Sequence, residues 1–209
     1  MPLREIPGPA GRLEALLDEP ADSTAVHEAV VFAHPHPQQG GTMHTKVVYQ
    51  AAKALNRTGS AVLRFNFRGV GTSAGRFDDG AGEADDFRAA LDFMQQRHPE
   101  ARLWAAGFSF GGWIALTVGA ADPRVSTLIG IAPPLARYDF EAVRLSRKAK
   151  FLIQGEFDEI CPLKDMQQFY ARCEEPKELV VIDAADHLFD GKTIQVAEAI
   201  EDLLGDWSG

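Results

Sequence analysis

The feature that most constrains this chain is a repeated alternation of short apolar runs with longer segments of helical spacing, each junction marked by Gly or Pro. The runs are Ala29-Val-Val-Phe-Ala33, Ala61-Val-Leu-Arg-Phe65, Leu103-Trp-Ala-Ala106, Thr127-Leu-Ile-Gly-Ile131, Phe151-Leu-Ile153 and Leu179-Val-Val-Ile182. The first of them is continuously apolar, which marks a buried strand covered on both faces. Between them, helical patterns run over Val47–Leu55, from about Ala84 to Arg97, onward from Phe110, over Met166–Cys173 and over Thr193–Leu204. In the second of these, Phe87, Ala90, Leu91 and Met94 fall at i, i+3, i+4 and i+7. His98-Pro99 ends it, because the residue before proline is pushed out of the α region. This order predicts βαβ units and an open, mostly parallel sheet. Arg12–Asp18, bounded by Gly11 and Pro20, reads as an antiparallel edge strand.

With 209 residues, the chain is expected to form a single domain over 1–209, since domains run roughly 50–250 residues. A hydrophobic content of 45 % excludes the disordered class. The net charge of −9 repels phosphate, which argues against nucleic acid and anionic membranes as partners. Two cysteines, Cys161 and Cys173, form neither a disulfide framework nor a C-x-x-C pair and read as free thiols of a reducing compartment. The N-terminal stretch has early prolines and no long apolar run, so it does not read as a signal peptide. No segment approaches the roughly 18 apolar residues of a membrane span. A cytoplasmic protein is expected.

Gly107-Phe-Ser109-Phe-Gly111-Gly112 lies between a strand and a helical pattern, the context of the G-x-S-x-G nucleophile elbow. A turn this sharp brings the backbone at 107 and 111 so close that a Cβ would clash, and it projects the Ser109 hydroxyl above the sheet. The helix N-terminus behind it favours developing negative charge.

A serine hydroxyl needs a base. Of His27, His34, His36, His44, His98 and His187, His187 lies just past the strand ending at Asp183, at the sheet edge where Ser109 stands. His27 and His98 precede their strands and belong to the opposite edge. The acid that orients the imidazole should follow another strand's carboxyl end. Gln154-Gly-Glu156-Phe-Asp158 supplies Asp158, with Glu156 as its competitor. Asp186 is adjacent to His187, and neighbouring side chains diverge.

The chain order Ser109, Asp158, His187 is that of α/β-hydrolases. The sequence resembles that superfamily over nearly its whole length. More narrowly, it is similar to small cap-less bacterial hydrolases related to dienelactone hydrolase, through His34-Pro-His-Pro37, Arg64-Phe-Asn-Phe-Arg-Gly-Val-Gly-Thr-Ser73 and Gly107–Gly112. It carries serine where dienelactone hydrolase has cysteine.

The resemblance implies an α/β-hydrolase fold, with a mostly parallel central sheet flanked by helices. It also implies an oxyanion hole made by the amide of Phe110 and a second amide from the loop 32–41. Pro35 and Pro37 have no N–H, which leaves His36 as the favoured donor and Gln38 as the second. His34 is expected to pack and hydrogen-bond within that loop. Superfamily caps commonly follow the strand that here is Thr127–Ile131. Only about 17 residues separate it from Lys150, too few for a cap domain. An open site walled by Pro133-Pro-Leu135, Tyr138 and Phe140 is expected.

A metal on His34, His36 and His44 is a weaker reading, because no carboxylate stands near them in sequence. Arg68–Ser73 matches neither G-x-G-x-x-G nor a G-K-[ST] ending and reads as a turn walling the pocket. No cofactor and no metal is expected. The implied activity is hydrolysis of a carboxylic ester, or thioester, of a small molecule through an acyl-enzyme. The alternatives are a peptidase or lactonase with the same residues, and a non-catalytic binding protein on this fold.

Overall fold

The structure, a computed structural model, describes residues 3–21 and 25–205. Met1, Pro2 and the last four residues of the stretch expected to form one domain lie outside the described residues. An eight-stranded sheet runs in the order β1-β2-β4-β3-β5-β6-β7-β8. Its strands are β1 (Glu5–Gly8), β2 (Gly11–Asp18), β3 (Glu28–Ala33), β4 (Ala61–Phe65), β5 (Arg102–Phe108), β6 (Val125–Ile131), β7 (Ala149–Gly155) and β8 (Lys177–Ile182). From β4 to β8 every pairing is parallel, and β1 and β2 join antiparallel at one margin. This is the α/β-hydrolase architecture.

The helices are α1 (Lys46–Arg57), α2 (Ala81–Arg97), α3 (Phe110–Ala121), α4 (Glu141–Leu145), α5 (Leu163–Arg172) and α6 (Thr193–Gly205). Val47, Val48 and Leu55 of α1 and Val196 and Ile200 of α6 share one apolar cluster with Val30, Phe32 and Ile153. Phe87 and Met94 of α2, Ile114 and Leu116 of α3, and Phe169 of α5 share the other with Val31, Leu63 and Leu128. Two apolar layers on one sheet explain why Ala29–Ala33 of β3 reads as an unbroken apolar run.

Three elements differ from the sequence reading. Arg12–Asp18 is not the margin: its antiparallel direction holds, but Glu5–Gly8 pairs outside it. A four-residue strand is too short to show a period, and its Pro7 suits only an edge. Helix α2 starts at Ala81 rather than Ala84, because the Glu83 carboxylate accepts from the Gly80 amide (2.8 Å) and the Asp78 amide (3.0 Å) and so satisfies N–H groups left open at its start. The five-residue α4 occupies the connection between β6 and β7, where no cap domain fits.

The sheet order reverses at the centre. From β3 the chain crosses to β4 on one side, then returns to β5 on the other. A crevice opens beyond the strand carboxyl ends at such a switch point. Here it lies between the loop after β3 and the turn after β5.

Candidate active site

Ser109 is the residue between β5 and α3. Its backbone sits at φ 53° and ψ −121°, a sparsely populated conformation that costs about 1–3 kcal/mol and persists only where surroundings over-determine it. The Ser109 amide donates to the Ile131 carbonyl at 2.9 Å, and its carbonyl accepts from Trp113 at 3.0 Å, tying the turn to β6 and α3. A Cβ at Gly107 would meet the Gly111 carbonyl, and one at Gly111 would meet the carbonyls of Ala33 and His34. The glycines expected from the motif therefore let the elbow press against the end of β3.

His187 stands in the loop after β8, and its Nε2 lies 2.9 Å from Ser109 Oγ. Its Nδ1 lies 2.8 Å from Oδ2 of Asp158, in the loop after β7. An ionised carboxylate only accepts, so Nδ1 carries the proton and Nε2 is left to accept from the serine hydroxyl. Both His187 and Asp158 are buried. Asp158 Oδ1 also accepts from the amides of Ile160 (2.9 Å) and Cys161 (2.8 Å).

Glu156, the rival acid, faces elsewhere. Its Oε2 accepts from the Ala184 amide at 2.8 Å and so braces the loop that carries His187. Asp186 accepts from the Asp190 amide at 3.1 Å. Phe157 donates its amide to Ala185 at 2.9 Å, so the acid loop and the histidine loop lie side by side.

The sequence reading missed Gln154. Its Nε2 donates to Asp158 Oδ2 at 2.8 Å and to the Cys161 carbonyl at 2.7 Å. A carboxamide directly after the apolar run Phe151-Leu-Ile153, four residues before the acid, was the available signal.

The loop after β3 turns through a 3-10 segment, Pro37–Gln39. The Gln38 amide donates to His36 Nδ1 at 3.2 Å and the Gln39 amide to the His36 carbonyl at 3.0 Å. The second-choice oxyanion donor is therefore already engaged. Phe110 is the first residue of α3, and its N–H has no helical carbonyl four residues back. β3 and β5 pair through Ala33 and Gly107, which sets the segment carrying His36 beside the one carrying Phe110. Their rings lie 4.9 Å apart. Burial, then the nearby Arg137 charge, holds the His36 imidazole below its ordinary pKa.

His34 is fully buried and shapes this loop. Its Nδ1 faces the Pro35 carbonyl at 2.6 Å, and its Nε2 accepts from the Phe67 amide at 3.0 Å. Burial pushes its pKa down to about 4. With both ring nitrogens engaged, His34 has none to offer a metal, and no group of three or more His, Cys, Asp or Glu among the described residues is arranged to hold one. Cys161 and Cys173 are buried free thiols, and burial pushes the Cys161 thiol up to about 12.

Hydrogen bonds hold Arg68–Ser73: Arg68 forms a bidentate pair with buried Asp86 (2.8 and 3.0 Å), and Thr72 donates to Glu14 at 2.9 Å. Leu135, Tyr138 and Phe140 line a cavity of about 310 Å³ that extends toward Phe169 and Arg172 and includes neither Ser109, Asp158 nor His187. Tyr138 stacks on Trp113 at 3.8 Å, and Phe110, the residue after Ser109, packs edge-on against both rings. Among the described residues, no helix is long and apolar enough to cross a membrane.

Residues 24–149 match the family described as serine aminopeptidase, S33. The chain belongs to this family of α/β serine hydrolases. A Xanthomonas campestris α/β serine hydrolase without a lid, XC6422, is 39 % identical, with a TM-score of 0.90 over 99 % of this chain and 94 % of that one. An α/β serine hydrolase homologue from Coxiella burnetii is 37 % identical, with a TM-score of 0.89 over 96 % of this chain and 95 % of that one. The Rickettsia prowazekii protein RP471 is 38 % identical over 98 % of this chain and 89 % of its own length. The S33 match contains Ser109 and ends before Asp158 and His187.

Proposed function

We propose that this α/β serine hydrolase cleaves carboxylic esters of small molecules through an acyl-enzyme, with Ser109 as nucleophile, His187 as base and Asp158 as the orienting acid. The observation that carries the reading is the continuous hydrogen-bonded path from Ser109 Oγ through His187 to Asp158. In the first step the serine oxygen attacks the ester carbonyl while His187 Nε2 takes its proton. The amides of Phe110 and His36 donate to the oxyanion, a contribution worth roughly 3–4 kcal/mol per donor. As the acyl C–O bond breaks, His187 returns the proton to the leaving oxygen. Water then attacks the acyl-serine with the same base, and the acid product leaves. Asp158 stays ionised throughout and stabilises the imidazolium.

The open, lid-less build supports a small substrate taken directly from solution. Labelling with a fluorophosphonate probe, followed by peptide mapping, tests the nucleophile; an adduct on Ser109 is expected. Turnover of p-nitrophenyl esters is compared with that of aminoacyl p-nitroanilides. Ester hydrolysis lost in Ser109→Ala is the expected result. Faster cleavage of the anilide would replace the esterase reading with a peptidase one.

A further inference from the structure

The carbonyl must lie between Ser109 Oγ and the amides of Phe110 and His36. The leaving oxygen must then come within hydrogen-bond reach of His187 Nε2, because that nitrogen supplies its proton. The alcohol side of the substrate therefore emerges over the loops that carry His187 and Asp158.

Those loops have an unusual surface. Among the described residues six large hydrophobic side chains are exposed, and three of them are Phe157 (61 %), Ile160 (42 %) and Leu188 (62 %). Phe157 directly precedes Asp158, Leu188 directly follows His187, and Ile160 donates its amide to Asp158. The backbone bond from Phe157 to Ala185 holds the two loops together. Single exposed apolar residues are ordinary, but three on two adjoining loops, each within two residues of Asp158 or His187 in the chain, concentrate apolar surface at the carboxyl edge of the sheet.

The same two loops carry exposed Glu156, Glu159, Asp183, Asp186 and Asp190 against half-buried Lys192, and exposed Lys164 and half-buried Asp165 follow in the first turn of α5. Carboxylates thus outnumber cations around the apolar rim. Like charges repel over a distance of about 8 Å at physiological salt.

Resting on the esterase reading above, we infer that Phe157, Ile160 and Leu188 form a leaving-group subsite for an apolar alcohol that carries no negative charge. Esters of neutral or cationic alcohols fit it, and thioesters of phosphate-bearing carriers do not. The acyl side, bounded by the aromatic rings of Phe110 and His36, is a separate surface.

The test uses the full chain and one acyl group on four alcohols: methyl, hexyl, choline and 2-sulfonatoethyl butyrate. For the wild type, kcat/KM for the hexyl ester is expected to exceed that of the methyl ester by about tenfold or more. The choline ester is expected to exceed the sulfonatoethyl ester by about tenfold at low salt, with the gap closing as ionic strength rises. Leu188→Ser and Phe157→Ser should shrink the hexyl-to-methyl ratio, and Glu159→Lys with Asp186→Lys should shrink or invert the choline-to-sulfonatoethyl ratio. These are exposed positions, and thermal unfolding checks that each variant is folded. A fluorophosphonate adduct on Ser109 together with ratios that are flat in the wild type, or unmoved in folded variants, overturns the inference alone. No adduct on Ser109 overturns the esterase reading, and the inference falls with it.

Discussion

Gln154 and His187 meet on a single oxygen: both donate to Asp158 Oδ2, each at 2.8 Å. Gln154 Nε2 spends its second hydrogen on the Cys161 carbonyl, and its Oε1 is buried without a partner among the described residues. An orphaned buried acceptor costs about 1–3 kcal/mol. The arrangement is explained by what the amide holds in place, which is the orientation of the carboxylate.

Replacing Gln154 by Met keeps the volume and removes the donor. Turnover is then expected to fall about tenfold with little change in KM, the loss of one hydrogen bond to a charged group. With Oδ2 shared by His187 alone, its charge bears more strongly on the imidazolium, so the acid limb of the rate profile should move to higher pH. Fluorophosphonate labelling of Ser109 as a function of pH reads that limb without a known substrate. A limb that stays put while the melting temperature drops would assign Gln154 to packing alone.

The division of labour between the two acids is testable by paired substitutions. Asp158→Asn should lower kcat by about 10⁴ with the fold intact, because the imidazole loses its orienting acceptor and adopts the wrong tautomer. Glu156→Gln keeps an acceptor for the Ala184 amide and should change kcat less than about twofold. Steady-state kinetics on one ester, with circular dichroism of both variants, separates the outcomes. Equal losses from the two substitutions would contradict the assignment.

The loop that presents His36 depends on a backbone approach. A Cβ at Gly41 would collide with the Pro35 carbonyl and stand 2.8 Å from that of His36. Both are backbone atoms, so the loop itself must shift. Gly41→Ala is expected to lower kcat at least about tenfold, by displacing a donor whose removal elsewhere is worth about 10²–10³. Labelling of Ser109 should persist at a reduced rate, since Ser109 and its hydrogen bond to His187 are untouched. Unchanged kcat would show that His36 contributes no donor.

His34 makes stability depend on pH in a defined direction. It is buried neutral with a folded pKa of about 4, against 6.5 when unfolded. The unfolded chain therefore binds a proton that the folded one resists. The stabilisation is complete above the unfolded value and is lost as pH falls toward the folded one, by about 3 kcal/mol in all. Urea unfolding of the wild type and His34→Gln at neutral pH and at about pH 5 checks this: the wild type should lose more stability on acidification. A ring titration followed by NMR gives an independent reading, and protonation above about pH 6 would contradict it.

Much of the site was legible along the chain. The pattern from Gly107 to Gly112, set between an apolar run and a helical pattern, pointed to a strand-to-helix turn with Ser109 at its apex. His187 stood out by its place after a strand. The choice between Glu156 and Asp158 was harder: both follow the same strand end, and spacing alone does not say which carboxylate turns inward. Gln154 passed unnoticed because a strand residue's partners lie on other segments. Leu135, Tyr138 and Phe140 also line a cavity reaching toward Phe169 and Arg172, which spacing along the chain does not reveal, since a loop's direction depends on what it packs against.

The sequence by itself determined the architecture and the chemistry available at the sheet edge, because apolar periodicity and glycine placement are local properties that neighbours along the chain enforce. Only the tertiary structure decided which side chains meet: Asp158 rather than Glu156 at His187, Gln154 behind Asp158, and the Gln38 amide turned onto the His36 imidazole. Those pairings are set by hydrogen bonds of about 3 Å, and no local pattern encodes distances of that kind.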